Sequence, residues 1–128
     1  MGKNVLLIED EPNIIEAIRF ILSRDGWKVR THFDGGTALE AILAAEPDVV
    51  ILDVMLPNRS GYDILRDLRS TDGAQKAVPV LMLTARGQVK DREMAEAAGA
   101  SCFMTKPFSN AAVLEQVRML AGEQADGS

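Results

Sequence analysis

Cysteine, histidine, tryptophan and tyrosine each occur once in this chain of 128 residues. A single cysteine, Cys102, excludes an internal disulfide and agrees with a reducing compartment; it reads as a small buried hydrophobe. The lone His32 excludes a histidine metal cluster and, on a half-exposed strand, reads as a solvated or packed side chain. Basic charge is in deficit. Fourteen Lys and Arg against nineteen Asp and Glu leave a net charge of −5, the wrong sign for a phosphate backbone, so no direct nucleic-acid partner is expected. Apolar runs stop far short of the ~18 residues of a membrane span, and membrane insertion is not expected. The start, Met1-Gly2-Lys3-Asn4, runs straight into a strand and leaves no room for the regions of a signal peptide, so a cytoplasmic location is expected.

What is present suits one soluble domain: 47% hydrophobic and 26% charged residues, in a chain long enough to bury roughly two-thirds of its unfolded surface. Val5–Ile8 is a short apolar run, followed by Ile14, Ile15, Ile18, Ile21 and Leu22 at helical spacing. Gly26 stops that helix. Trp27–Phe33 alternates apolar with polar residues as an edge strand would. Ala38, Leu39, Ile42 and Leu43 mark a second helix, and Pro47 forbids its continuation into the buried strand Asp48–Leu52. Beyond the turn-rich 57–61 segment, Ile64, Leu65 and Leu68 mark a third helix. A strand over Val78–Leu83, a helix through Met94, Ala97 and Ala98, a strand over Ser101–Met104 and a helix with Val113, Leu114, Val117 and Leu120 complete the pattern. Residues 1–122 are expected to form the domain and 123–128 a polar tail. Met82, Met94, Met104 and Met119 read as core filler, and Arg66, Asp67, Arg69 and Asp72 as a solvated helix face. The alternation predicts an α/β three-layer sandwich with a parallel five-stranded sheet in the flavodoxin-like order 2-1-3-4-5.

In that order strands 1 and 3 are neighbours, and their carboxyl ends bring Glu9, Asp10 and Asp53 to one crevice at the topological switch point. Clustered carboxylates must raise a pKa or bind a cation, and a wet rim of hard oxygen ligands suits Mg²⁺. Lys106 and Thr84, at the ends of strands 5 and 4, add a cation and a hydroxyl donor that could hold a phosphoryl oxygen. Asp53 is the nucleophile of choice, since an Asp carboxylate can accept a group covalently.

Leu7-Ile8-Glu9-Asp10-Glu11-Pro12, Leu52-Asp53-Val54-Met55-Leu56-Pro57 with Gly61, Leu83-Thr84-Ala85-Arg86, and Phe103-Met104-Thr105-Lys106-Pro107-Phe108 together resemble the receiver domain of two-component response regulators. The resemblance implies a phosphorylation-dependent switch. Asp53 would accept a phosphoryl group from phosphohistidine on a sensor histidine kinase or a histidine phosphotransfer protein. Asp10, Asp53 and the backbone carbonyl of Met55 would hold Mg²⁺, with Glu9 acting through water. Lys106 and Thr84 would contact the phosphoryl oxygens, Phe103 would be the switch aromatic, and Pro107 would follow a cis bond. A downstream output protein would be bound through the fourth helix, fifth strand and fifth helix.

The implied protein is a phosphoacceptor switch that assists its own phosphorylation and dephosphorylation, not an enzyme acting on other substrates. The chain stops soon after the fifth helix, which is expected of a stand-alone receiver; a receiver fragment of a longer transcriptional regulator is the alternative. Ser101 and Cys102 stand where many receivers joined to winged-helix domains carry an acidic pair, which argues against that form of dimer. Met55 and Arg86 flank the site and are candidates for tuning phosphoryl lifetime. An Mg²⁺-dependent aspartyl-phosphate phosphatase is disfavoured because Met55 occupies the position of its second Asp. A flavodoxin-like cofactor binder is disfavoured because the acidic first βα turn would repel a flavin phosphate. The fourth helix, whose stripe is mainly Ala and Met, should be the least firmly held.

Overall fold

The computed structural model describes residues 3–85 and 87–122; the expected tail at 123–128 and Arg86 lie outside them. The strands are β1 (Asn4–Ile8), β2 (Lys28–His32), β3 (Val49–Asp53), β4 (Val80–Thr84) and β5 (Cys102–Thr105), and the helices are α1 (Pro12–Arg24), α2 (Ala38–Ala45), α3 (Gly61–Arg69), α4 (Val89–Ala98) and α5 (Asn110–Leu120). All pairings are parallel and the order is β2-β1-β3-β4-β5, as the alternation predicts.

The two-residue period of each strand divides the core into two layers. Leu6, Ile8, Val50, Leu52, Val80 and Met82 face one way, against Ala38 and Ile42 of α2, Ile64, Leu65 and Leu68 of α3, and Ala95 and Ala98 of α4. Val5, Leu7, Val49, Ile51, Leu81 and Leu83 face the other, against Ile18 and Leu22 of α1 and Val113 and Val117 of α5. β3 and β4 are buried along their whole length, which is why they read as unbroken apolar runs. The β2 edge is half exposed, while Trp27 just before it is buried. No described helix is long and apolar enough to cross a membrane.

Several details depart from the sequence reading. β4 begins at Val80, not Val78: Pro79 has no N–H to donate, and the Val78 amide ends a 3-10 turn by donating to the Gln75 carbonyl. β5 runs from Cys102 to Thr105; just ahead of it the Ser101 hydroxyl accepts from the Val80 N–H and the Ser101 N–H donates to the Val80 carbonyl. The buried stripe of α4 is Ala95 and Ala98, with Met94 and Ala97 exposed. Met82 is core, but Met94 and Met119 lie on the surface and Met104 is half-buried. Nor is Arg69 part of a solvated face. Its guanidinium donates to the carbonyls of Gly99 (3.0 Å), Lys76 (2.9 Å) and Val78 (2.8 Å), tying the end of α3 to the end of α4 and to the approach to β4. Cys102 is half-buried, with its thiol 2.9 Å from Gln116 Oε1.

Candidate functional site

β1, β3, β4 and β5 end at the same edge of the sheet, and each delivers a polar residue there. Asp53 is the last residue of β3, in register with Leu83, and Thr84 closes β4 opposite Thr105. Both side chains are buried, at 2% exposure, and Glu9, just past β1, is at 1%. Asp10 is exposed. One carboxylate oxygen from each of Glu9, Asp10 and Asp53 lies within 4.8 Å of the others, so residues more than forty positions apart share one cluster.

Lys106 enters this cluster from the β5–α5 turn. Its backbone N–H donates to the Thr84 carbonyl at 2.7 Å, which fixes the root of the side chain, and Nζ reaches Asp53 Oδ1 at 3.2 Å and Glu9 Oε1 at 3.2 Å. Its hydrogen bond to Glu9 goes to Oε2, at 3.4 Å, and Glu9 Oε1 has no aligned donor. The Lys106–Pro107 peptide is cis, as the resemblance implies. Phe103, in register with Met82 on the α3–α4 face, is half-buried, and the Arg92 guanidinium lies 5.4 Å from its ring centroid.

One ammonium does not balance three carboxylates. Burial first, then repulsion from Asp53, pushes Glu9 up to about 7. Burial also raises Asp53, against the opposing pull of Lys106. Burial alone would lower Lys106, but Asp53 and Glu9 outweigh it and hold its ammonium above the ordinary range. Three carboxylates within 4.8 Å, two of them buried and one exposed, that share a single ammonium are the donor set that a hard divalent cation completes. The residues therefore fit Mg²⁺. The backbone after Asp53 is held closely as well: Val54 N–H donates to Leu83 O at 2.9 Å and Gly61 N–H to Val54 O at 2.8 Å. A Cβ at Gly61 would collide with the Asp53 carbonyl oxygen, which is why only glycine serves there.

The family model for the response regulator receiver domain matches residues 5–118. This chain belongs to that family. The receiver is 43% identical over 116 residues to the probable transcriptional regulatory protein TcrX of Mycobacterium tuberculosis; the match covers 91% of this chain and 48% of the relative, so the chain spans about half that protein's length. The receiver domain of a sensor histidine kinase from Pseudomonas aeruginosa, described with a magnesium ion coordinated in its active-site cleft, is 30% identical, with a TM-score of 0.85 over 95% of this chain and 99% of that one. The BeF3-activated receiver domain of RstA from Klebsiella pneumoniae is 28% identical, with a TM-score of 0.83 over 92% of this chain and 97% of that one.

The receiver fold thus brings Glu9, Asp10, Asp53 and Lys106 into one cluster, sets Thr84 at the same edge and puts Phe103 on the α4 side. Met55 is 70% exposed beside it. Sequence reasoning did not single out Arg92 or the contacts of Arg69. Both are ordinary surface residue types in a charged run, and neither carried a signal before its neighbours from other elements were in place.

Proposed function

We propose that this receiver domain is a phosphorylation-activated switch of a two-component or phosphorelay system, with Asp53 as the phosphoacceptor. The observation that carries this reading is Asp53 Oδ1 held 3.2 Å from Lys106 Nζ at the mouth of a three-carboxylate cluster. Asp10, Asp53 and the Met55 carbonyl would hold Mg²⁺, with Glu9 acting through water; when bound, the ion supplies charge neutralisation and positions for phosphoryl oxygens. Asp53 attacks the phosphorus of a phosphohistidine on a sensor kinase or phosphotransfer protein; an O–P bond forms, the N–P bond breaks, and the released imidazole nitrogen takes a proton. Lys106 moves from the carboxylate to the new phosphoryl oxygens, which carry more charge. Thr84 donates its hydroxyl to them and draws the β4–α4 connection inward, and Phe103 turns into the space this leaves.

The added phosphoryl charge favours one arrangement of α4, β5 and α5 over another, and an output protein that prefers this arrangement is bound more tightly. The receiver catalyses its own phosphorylation and dephosphorylation and no other reaction. A second reading follows from the length of the M. tuberculosis relative, about twice the matched span: the output would then be a further domain of a longer transcriptional regulator. The test of the central assignment is intact-mass measurement after incubation with a small phosphodonor and Mg²⁺. Wild type gains one phosphoryl mass and Asp53→Asn gains none; equal gain by both, or by neither, overturns the reading.

A further inference from the structure

We propose that Asp34 and Asn58 are positioning residues for the metal and phosphoacceptor site, bracing the loop that carries the Met55 carbonyl; this rests on the metal reading above. The β3–α3 loop, residues 54–60, is anchored at its base by the Val54 and Gly61 amides described above. Its tip is anchored separately. Gly35 N–H donates to Pro57 O at 2.9 Å, and Asn58 Nδ2 donates to Asp34 Oδ1 at 2.5 Å. The approach is so close that a Cβ on Gly35 would lie 2.8 Å from the Pro57 oxygen. Asn58 holds a positive φ of 72°, a conformation that Asn tolerates better than most residues and that aims its amide at Asp34.

The bracing bonds do not end at Asp34. Thr37 Oγ1 donates to Asp34 Oδ2 at 3.3 Å and lies 2.8 Å from His32 Nε2, and the His32 carbonyl accepts from the Glu9 N–H at 3.0 Å. One hydrogen-bonded series therefore links the loop after the phosphoacceptor, through the end of β2, to the acidic pair after β1. Hydrogen bonding from Asn58, ahead of the other contacts, holds the Asp34 carboxyl below the usual carboxylate range, as expected of an ionised acceptor. Between Val54 and the anchored tip, Leu56 packs against the core, the Met55 backbone amide hydrogen-bonds to the Asp53 carboxylate and the Met55 side chain stands in solvent, so the Met55 carbonyl shares its placement between these contacts and the anchored tip beyond it. Mg²⁺ demands near-octahedral geometry at about 2.0–2.1 Å, and a loosened carbonyl is penalised steeply.

The experiment measures Mg²⁺ affinity by calorimetry on the intact chain, together with amide exchange of residues 55–59 in EDTA. Asp34→Ala is expected to raise the Mg²⁺ Kd about tenfold and to speed exchange in the loop, while Asp34→Asn, which keeps one acceptor oxygen for Asn58, stays within about threefold of wild type. Asn58→Gly, which keeps the positive φ, should weaken binding similarly, and the double variant should be no weaker than either single one. A melting temperature lowered in Asp34→Ala with an unchanged Kd would reduce Asp34 to a structural role and overturn the proposal, as would unchanged loop exchange. Wild-type protein that binds no Mg²⁺ would defeat the metal reading itself, and the positioning role with it.

Discussion

In the metal-free receiver, replacing Glu9 with Gln should stabilise the fold at alkaline pH. Glu9 is 1% exposed, and its pKa rises from 4.5 to about 7 through burial and then the Asp53 charge. The folded chain therefore holds this proton more tightly than the unfolded chain. The associated stability is fully present below pH 4.5 and is lost as pH rises through about 7. A shift of this size corresponds to about 3 kcal/mol, or roughly 10 °C in Tm for a domain of this length. Asp53 is raised in the same direction and steepens the loss. Asp25 and Asp34 are lowered from 3.8, so their contributions change below that pH. Lys106 is raised from 10.5, so its contribution changes above that. Between pH 4.5 and 7 the buried acids of the cluster therefore dominate the shifted groups. Urea unfolding in EDTA, followed by far-ultraviolet circular dichroism across this window, should show wild type losing stability and Glu9→Gln losing far less. Mg²⁺ at about 100 times its Kd should return about 2.7 kcal/mol to wild type at pH 8. Identical pH slopes for wild type and Glu9→Gln would refute the account of the cluster.

Ile18→Ala empties a fully buried position between α1 and the sheet and should cost about 2–5 kcal/mol in urea unfolding. α4 buries Ala95 and Ala98, whereas α1 buries Ile18 and Leu22 and leans on Ile14, Ile15 and Ile21; native-state amide exchange should accordingly open α4 first, and equal protection of the two helices would sink this ranking. Arg69→Met strips donors from three carbonyls while keeping an apolar stem, and should cost about 2–4 kcal/mol; a loss below about 0.5 kcal/mol would return Arg69 to the solvated surface. Arg92→Ala removes the cation 5.4 Å from the Phe103 ring and should shift the Phe103 side-chain rotamer populations measured by NMR; unchanged populations would leave that contact without effect on the aromatic.

The order of the elements, the sheet topology and the convergence of Asp10, Asp53, Thr84 and Lys106 were legible in the chain alone. Each depends on a local pattern combined with a rule of handedness: a strand buried on both faces must be apolar until its last residue, and right-handed crossovers leave few arrangements for five such strands. The polar residue that ends each run is therefore both easy to find and bound for the same edge. What the tertiary structure decided was pairing between elements with no common period. Arg69 became an anchor because three carbonyls from two other segments close around it, and the charged run in which it sits has the composition of a solvated helix face. Met94 and Ala97 turned outward because α4 presents its Ala95 and Ala98 stripe to α3 and the sheet, a rotation of one residue that small side chains do not specify. Glu9 gained its raised pKa only when β1 and β3 buried it beside Asp53 and Lys106. Asp34 and Asn58 are ordinary turn residues in sequence, and their bond exists because two loops from different crossovers meet above the end of the sheet.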